Sequence, residues 1–168
     1  MGVSGSGKST IAEALARRLG FTEKDADLYH PAANVEKMQS GIPLTDADRW
    51  PWLYIVAGLI DGHAASNRPV VIACSALKRP YRDILVHGRS DVRIVYLKGS
   101  RDVIASRTAH RKGHFMPPSL LDSQFDALEE PAPDENAITV DIDASVDVII
   151  DDIVRQLHLP VPVETKTA

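Results

Sequence analysis

Apolar residues along the chain follow two patterns that alternate. Ile11, Leu15 and Leu19 recur at a four-residue step and therefore share one face of a helix. Val70–Ala73 is instead an unbroken apolar run, which is typical of a parallel strand covered on both faces. The first pattern predicts helices over residues 8–19, 32–40, 79–87 and 102–110, and helices that begin near residues 45–46, 117 and 146. We predict strands over residues 70–73, 93–97 and 138–142, and a short extended piece over residues 21–25 that leads into a polar segment.

Strands that alternate with helices predict a parallel α/β sheet with helices on its faces. A chain of 168 residues is long enough to form one domain with its own core. We expect that domain to span residues 1–158. Residues 159–168 are rich in Pro, Val and Thr and have little to bury, so we expect a loose C-terminal tail there.

The composition argues against several classes of protein. The net charge is -4 and the pI about 5.8, which does not favour nucleic-acid binding. Cys74 is the single cysteine, so an intrachain disulfide and a multi-cysteine metal site are excluded, as is usual in a reducing cytoplasm. No apolar run reaches the roughly 18–20 residues of a membrane span, and no secretory signal pattern opens the chain. We expect a cytoplasmic protein without nucleic-acid or membrane partners.

The strongest motif is a phosphate-binding loop at the start of the chain. Gly2–Ser9 matches the pattern G-x-x-x-x-G-K-[ST] in full. Glycines allow consecutive backbone N–H groups to curl around phosphate oxygens, and the helix that follows adds its positive end. Lys8 supplies charge to the β- and γ-phosphates of ATP, and the hydroxyl of Ser9 suits Mg²⁺. The residues expected to bind nucleotide are Gly2, Ser4, Gly5, Ser6, Gly7, Lys8, Ser9 and Thr10.

This loop predicts a P-loop NTPase fold, a three-layer α/β/α arrangement around a parallel sheet. A P-loop normally follows a buried strand, yet only Met1 precedes Gly2. We therefore expect the first strand of the fold to be missing from this chain, with Met1 an internal methionine of a longer reading frame.

Two aspartates indicate which kind of P-loop protein this is. The GTPase patterns D-x-x-G and N-K-x-D do not occur, and the apolar strands end in Cys74 and Lys98 rather than in an aspartate. Asp25 and Asp27 follow the short strand near residue 22 and are two residues apart, which places both side chains on one face of an extended chain. One of them can assist Mg²⁺ while the other meets an acceptor hydroxyl. This arrangement suits a small-molecule kinase.

Motifs over most of the chain resemble those of the gluconokinases, P-loop kinases related in fold to the shikimate and nucleoside monophosphate kinases. The resemblance covers residues 2 to about 143. It rests on Gly2–Thr10, Asp25–Asp27 with His30-Pro31, Asn34 with Glu36–Met38, Gly41–Leu44, Asp46, Asp48-Arg49, Pro51–Leu53, Cys74–Lys78, Tyr81–Asp83, Lys112–Phe115, Gln124-Phe125 and Leu128-Glu129.

The resemblance implies transfer of the γ-phosphoryl group of ATP to the 6-hydroxyl of D-gluconate. Asp27 is then the residue that orients or deprotonates the acceptor hydroxyl, and Asp25 and Ser9 serve Mg²⁺, although the two aspartates are interchangeable at this level. His30 is expected to bond gluconate hydroxyls. One or more of the basic residues in the matched motifs should hold the carboxylate, since guanidinium and ammonium groups suit it: Arg49, Lys78 and Arg82.

A mobile lid over about 107–118 is also implied by the resemblance. Arg107 and Arg111 would close over ATP, exclude water and stabilise transition-state charge, and His114 would touch either ligand. The family resemblance further suggests a homodimer. Two other hypotheses stay open from the sequence: a related kinase for shikimate or a nucleoside monophosphate, and a truncated nucleotide-binding protein without activity. Cys74 and the rings of Trp50 and Trp52 are expected to pack in the interior.

Overall fold

The computed structural model describes residues 1–109 and 120–158. Its helices are α1 (Lys8–Leu19), α2 (Ala32–Gln39), α3 (Asp46–Ala65), α4 (Arg79–Val86), α5 (Arg101–Ala109), α6 (Leu120–Ala127) and α7 (Val146–Leu157). Its strands are β1 (Thr22–Asp25), β2 (Val70–Ala73), β3 (Val95–Lys98) and β4 (Ile138–Asp141). Short 3-10 turns follow β1 and precede β4, at Ala26–Tyr29 and Pro133–Glu135.

Most of these elements lie where the apolar patterns predict them. The bounds of α1 and β2 agree with the predicted ranges, whereas β3 begins at Val95, two residues later than predicted. The 3-10 turn after β1 was not predicted. Most of the predicted lid, residues 110–119, and the predicted tail, residues 159–168, lie outside the described residues.

The strands form two parallel pairs. β1 pairs with β2 from Thr22 opposite Val70 to Asp25 opposite Ala73. β3 pairs with β4 from Val95 opposite Ile138 to Lys98 opposite Asp141. Both pairs are parallel, so the predicted sheet direction is confirmed. Their carboxyl ends carry the loops from which the site is built.

Met1 and Gly2 lie between the two strand pairs. The Met1 carbonyl accepts a hydrogen bond from Leu97 N–H at 3.0 Å, and the Met1 amine donates to the Val95 carbonyl. Gly2 N–H donates to the Ser75 carbonyl, just beyond β2, at 3.2 Å. These two residues therefore link β3 to the segment after β2, and the phosphate-binding loop starts from that link.

Helices cover both faces of the strands. On one face α1 and α7 bury Leu15, Ile149 and other aliphatic residues, and Val71 of β2 packs against that cluster. On the other face α3 and α4 bury Trp52 and neighbouring residues, and Ile72 packs there. Adjacent β2 residues point to opposite faces, as strand geometry requires. The three-layer α/β/α prediction is confirmed.

Helix α3 begins at a capping box that positions the site residue Arg49. Thr45 N–H and Oγ1 both donate to Asp48 Oδ2 at 2.8 Å, and Asp48 N–H donates to Thr45 Oγ1 at 3.3 Å. Lys37 of α2 donates to Asp48 Oδ1 at 2.7 Å. Hydrogen bonds from Lys37 and Thr45 hold the pKa of Asp48 at about 2. The capping box thus fixes the start of α3 against α2. Its member Asp48 directly precedes Arg49 and so helps to place that residue.

Candidate active site

The phosphate-binding loop enters α1 through glycines whose backbone other residues rarely adopt. Gly5 and Gly7 have φ of 83° and 89°, where a Cβ causes strain. Gly7 is the N-cap of α1, and among the described residues no side chain caps this helix end. The positive end of the helix therefore lies at the loop, where it attracts an anion.

Two cavities share this loop. The acidic cavity is lined by Lys8, Ser9, Asp25, Asp27, His30, Arg49 and other residues. The apolar cavity, on the other side, is lined by Thr10, Ile11, Arg107, Val146, Ile149 and other residues. Gly5 and Gly7 line both. The loop therefore separates two neighbouring binding spaces of different chemistry.

Asp25 and Asp27 both line the acidic cavity, but the extended-chain reason for expecting this was wrong. Asp25 ends β1, whereas Asp27 lies in the 3-10 turn that follows. Asp25 Oδ1 accepts a hydrogen bond from Asp27 N–H at 3.0 Å, which starts the turn. Asp25 Oδ2 accepts from the Ser9 hydroxyl at 3.1 Å. Asp25 is therefore joined to the phosphate-binding loop.

His30 lies in the acidic cavity as a neutral ring. It stacks on Trp52 with ring centroids 4.1 Å apart and an angle of 16°. Burial, and secondarily the charge of Arg49, lower the pKa of His30 to about 4. Asn34 Nδ2 donates to the Asp48 carbonyl at 2.8 Å and lies 3.3 Å from His30 Nδ1. Because this amide nitrogen is a donor, Nδ1 accepts and Nε2 carries the proton.

Arg49 and Lys78 are brought close together, with different partners. Arg49 Nη1 donates to the Leu44 carbonyl at 2.6 Å and lines the acidic cavity. Lys78 Nζ donates to both Asp46 oxygens, at 2.8 and 3.1 Å. The Tyr81 hydroxyl also donates to Asp46 and accepts from Arg49 at 3.4 Å. Hydrogen bonds from Lys78 and Tyr81 lower the pKa of Asp46. Of the three basic residues expected to hold the carboxylate, Arg49 is thus the one that lines the acidic cavity.

Arg82 does not lie where the sequence analysis expected it. Its side chain is 1% exposed and pairs with both oxygens of Glu135, at 2.5 and 2.8 Å. It also donates to three carbonyls, those of Ala76, Leu77 and Glu129. These acceptors enclose the guanidinium. We therefore correct the prediction that Arg82 binds gluconate: its side chain links α4 to the segments 76–77 and 129–135.

The apolar cavity contains the other predicted basic residue that the structure describes. Arg107 Nη2 donates to the Ile142 carbonyl at 2.6 Å at the edge of this cavity. Ser6, which also lines it, is 1% exposed, and its hydroxyl has no hydrogen-bond partner among the described residues. A buried polar atom of this kind is costly unless a ligand or water satisfies it. Arg111 and His114 lie outside the described residues.

Gln124 is a site residue to which the sequence analysis gave no role. Its Oε1 accepts a hydrogen bond from Ser4 N–H at 2.5 Å, across 120 positions of sequence. It lines the acidic cavity and is 9% exposed. The only signal in the sequence was its place in a matched motif. Asn34, which orients His30, was likewise part of a motif without an assigned role.

Cys74 takes no part in the site's chemistry. It is buried in the cluster between the strands and α3, as predicted. Burial raises the pKa of its thiol to about 12, so the nucleophilic thiolate is suppressed.

The donor set fits a magnesium ion held partly by nucleotide. Within residues 1–109 and 120–158 no group of three or more His, Cys, Asp or Glu side chains forms a closed metal site. Mg²⁺ commonly takes only one or two carboxylates, with phosphate oxygens and water completing its shell. The paired oxygens of Ser9 and Asp25 beside the phosphate-binding loop meet that requirement.

A phosphate-binding loop at a helix N-terminus, set between parallel strands and flanked by two cavities, defines a P-loop kinase. A family described as "AAA domain" matches residues 1–131. A probable gluconokinase of Mus musculus is 48% identical over 163 residues, covering 87% of this chain and 89% of that protein. The chain belongs to the gluconokinase family.

Solved structures agree with this assignment. The unliganded crystal structure of a sugar kinase from a Janibacter species superposes with a TM-score of 0.90 at 46% identity, covering 94% of this chain and 91% of that one. A gluconokinase from Sinorhizobium meliloti superposes with a TM-score of 0.84 at 45% identity, covering 94% and 89%. Within the described ranges, no helix has the length and apolarity that a membrane span needs.

Proposed function

We propose that this protein transfers the γ-phosphoryl group of ATP to the 6-hydroxyl of D-gluconate and so forms 6-phospho-D-gluconate. The observation that carries this proposal is the shared wall of the two cavities. Gly5 and Gly7 border both of them, so a nucleotide on one side would present its terminal phosphate to an acceptor on the other. Membership of the gluconokinase family supports gluconate as that acceptor.

The apolar cavity would take the nucleotide base and the loop its phosphates. Val146 and Ile149 offer apolar contact to a base, and Arg107, which lines the same cavity, would approach the phosphates. In this structure Lys8 Nζ donates a hydrogen bond to the Val3 carbonyl within the loop, at 3.0 Å. Its ammonium would turn to the β- and γ-phosphates, as a P-loop lysine does. The buried Ser6 hydroxyl would gain a phosphate oxygen as its partner.

Ser9 and Asp25 would hold Mg²⁺ with the nucleotide. When bound there, the ion neutralises negative charge on the β- and γ-phosphates. The contact between Ser9 and Asp25 supports giving the metal role to Asp25, which leaves Asp27 for the acceptor.

Asp27 would orient the 6-hydroxyl of gluconate for in-line attack. The hydroxyl oxygen forms a bond to the γ-phosphorus, and the bond between that phosphorus and the β–γ bridging oxygen breaks. The hydroxyl proton passes to the Asp27 carboxylate, and ADP leaves. Positioning of this kind supplies most of the catalysis in phosphoryl transfer, because the reaction requires little covalent chemistry from the protein.

Arg49 would hold the gluconate carboxylate in the acidic cavity. Its remaining donors suit a carboxylate, whereas the charge of nearby Lys78 is offset by Asp46. The His30 Nε2 proton would donate to a gluconate hydroxyl while the ring stays neutral. Arg111 and His114 stay predictions of the family resemblance.

The purified chain tests this proposal directly. We expect ATP-dependent formation of 6-phosphogluconate, and we expect Lys8→Ala to abolish it while the circular dichroism spectrum is retained. Asp27→Asn should lower kcat by about 100-fold or more, the usual scale for a positioned base, with little change in ATP affinity. Asp61→Asn is the control, since Asp61 is an exposed carboxylate of α3 paired with Arg89.

Three results would change the conclusion. Turnover of shikimate or a nucleoside monophosphate, with none of gluconate, would assign the acidic cavity to another acceptor. Near-normal kcat in Asp27→Asn would remove the acceptor role from Asp27 and transfer it to Asp25. Binding of ATP without turnover of any acceptor would favour a nucleotide-binding protein without activity.

We also propose a homodimer in the cytoplasm. The family resemblance supports the homodimer, and the single cysteine supports the cytoplasmic location. Light scattering coupled to size-exclusion chromatography measures the mass in solution, and a mass near 18.3 kDa would contradict the dimer.

A further inference from the structure

Helix α6 reaches the phosphate-binding loop through one side chain. Gln124 Oε1 accepts the Ser4 N–H at 2.5 Å, and the residue is almost fully buried. Ser4 lies on the acidic-cavity side of the loop, where the transferred phosphate must face its acceptor. Backbone N–H groups of such a loop set the position of the phosphates. The contact therefore acts on the part of the loop nearest the reaction.

Other contacts join α6 to neighbouring segments and so support the position of Gln124. On one side Arg101 of α5 donates to Asp122 at 2.8 Å and lies over the Phe125 ring, with its guanidinium carbon 4.6 Å from the ring centre. At the other end Glu129 N–H donates to the Leu77 carbonyl at 2.9 Å, and Glu129 Oε2 accepts from Arg79 N–H at 2.7 Å. α6 is thereby tied to the segment after β2, which also lines the acidic cavity.

We propose that Gln124 is a positioning residue for phosphoryl transfer, because its carboxamide oxygen fixes the Ser4 N–H and with it the acidic-cavity side of the phosphate-binding loop. This inference rests on the proposed kinase function. Gln124 acts through the loop and need not touch gluconate. Its loss should therefore affect kcat more than the KM for either substrate.

Two substitutions of equal length separate positioning from simple packing. Gln124→Met keeps the volume and apolar contacts but removes the acceptor, whereas Gln124→Glu keeps an acceptor oxygen at the same reach. We expect Gln124→Met to lower kcat by about tenfold, with the KM for ATP changed by less than about threefold, which is the scale of one hydrogen bond. Gln124→Glu should retain the higher kcat of the two. A packing role predicts the reverse order, because a buried charge costs more than a thioether.

The Ser4 amide resonance provides a second measurement that needs no acceptor. In the ¹⁵N–¹H spectrum of the full chain we expect the Ser4 proton to move upfield in Gln124→Met and to stay near its position in Gln124→Glu. Asp126→Asn, which alters an exposed pair with Arg101 on the same helix, is the control and should change neither kcat nor this resonance. A Ser4 shift in Gln124→Met with unchanged kcat would overturn the positioning role. Absence of gluconate turnover in the unmodified protein would instead refute the proposed function, while the resonance still tests the contact.

Discussion

At the scale of single residues, the most informative side chain is His30, because its surroundings set its protonation state. The ring stacks on Trp52 and accepts a hydrogen bond from Asn34 on Nδ1. The hydrogen bond needs an unprotonated Nδ1, and the two contacts together hold the ring in one orientation. A neutral histidine can donate from Nε2 to a sugar hydroxyl without adding a second cation beside Arg49.

We predict that His30 stays neutral throughout the physiological range. Burial lowers its pKa from the usual 6.5 to about 4. Between these values the unfolded chain binds a proton that the folded protein does not, so stability is full above pH 6.5 and falls as the pH decreases toward 4. An NMR titration of the ring should give a midpoint well below 6.5.

Trp52 fluorescence offers an independent check on His30, since a protonated imidazole quenches a stacked indole. The measurement uses the Trp50→Phe variant, in which Trp52 is the only tryptophan left of the two in the chain. The emission should be constant from pH 8 to about 5.5 and quenched below that range. Quenching centred near pH 6.5 would contradict the lowered pKa.

The residue chemistry of the site was largely predictable, and its geometry was not. Lys8, Ser9 and the two aspartates were named from motif and spacing, and all of them line the acidic cavity. The spacing argument assumed an extended chain, but a 3-10 turn begins at Ala26 because Asp25 caps it. Sequence spacing cannot show a turn that depends on which way one carboxylate points.

At the scale of secondary-structure elements, the buried Arg82–Glu135 pair links α4 to the segment before β4. Arg79, three residues earlier on α4, makes a similar two-pronged pair with Asp134, at 2.9 and 2.8 Å, but at the surface. The two ion pairs join the same two segments and differ in burial. Removing the arginine of each pair in turn therefore compares a buried pair with an exposed one.

We predict that Arg82→Met lowers the free energy of unfolding by about 3–5 kcal/mol, because it leaves the Glu135 charge buried without its partner. Arg79→Met should lower it far less, since water screens the exposed pair. Urea denaturation measures both. Equal, small losses combined with a raised KM for gluconate in Arg82→Met would restore the substrate-binding role that the structure argues against.

Most element bounds followed from local signals. The four-residue apolar step and Gly20 predicted α1, and Thr45 was one of two predicted caps for α3. These features act within a few residues of the chain, so the sequence displays them. The contact of Gln124 with Ser4 spans the chain and leaves no local pattern.

At the scale of the whole molecule, Gly2 lies at the junction of the two strand pairs. Its φ is 146°, and a Cβ placed there would lie 2.8 Å from Ser6 Oγ and 3.0 Å from the Leu97 carbonyl oxygen. Space and backbone conformation both require glycine. The same residue begins the phosphate-binding loop.

We predict that Gly2→Ala destabilises the protein by more than about 1 kcal/mol and also weakens ATP binding, because the crowded loop must shift. Gly88→Ala is the matched control: its φ is 80° and a Cβ there meets nothing within 4 Å, so only backbone strain is added. Thermal unfolding and ATP titration calorimetry compare the two. ATP affinity lowered equally in both variants would show that crowding at Gly2 is not the cause.

The sequence by itself determined the class of protein, the α/β alternation and the candidate phosphate-binding residues, because glycine spacing, apolar periodicity and helix caps are local properties. Only the tertiary structure decided which basic residue faces the acidic cavity. Arg49, Lys78 and Arg82 are equivalent as charges in the sequence. They differ because Glu135 encloses Arg82, Asp46 binds Lys78, and Arg49 lines the cavity. Burial and long-range pairing set the role of each charge, and both arise only when distant segments pack together.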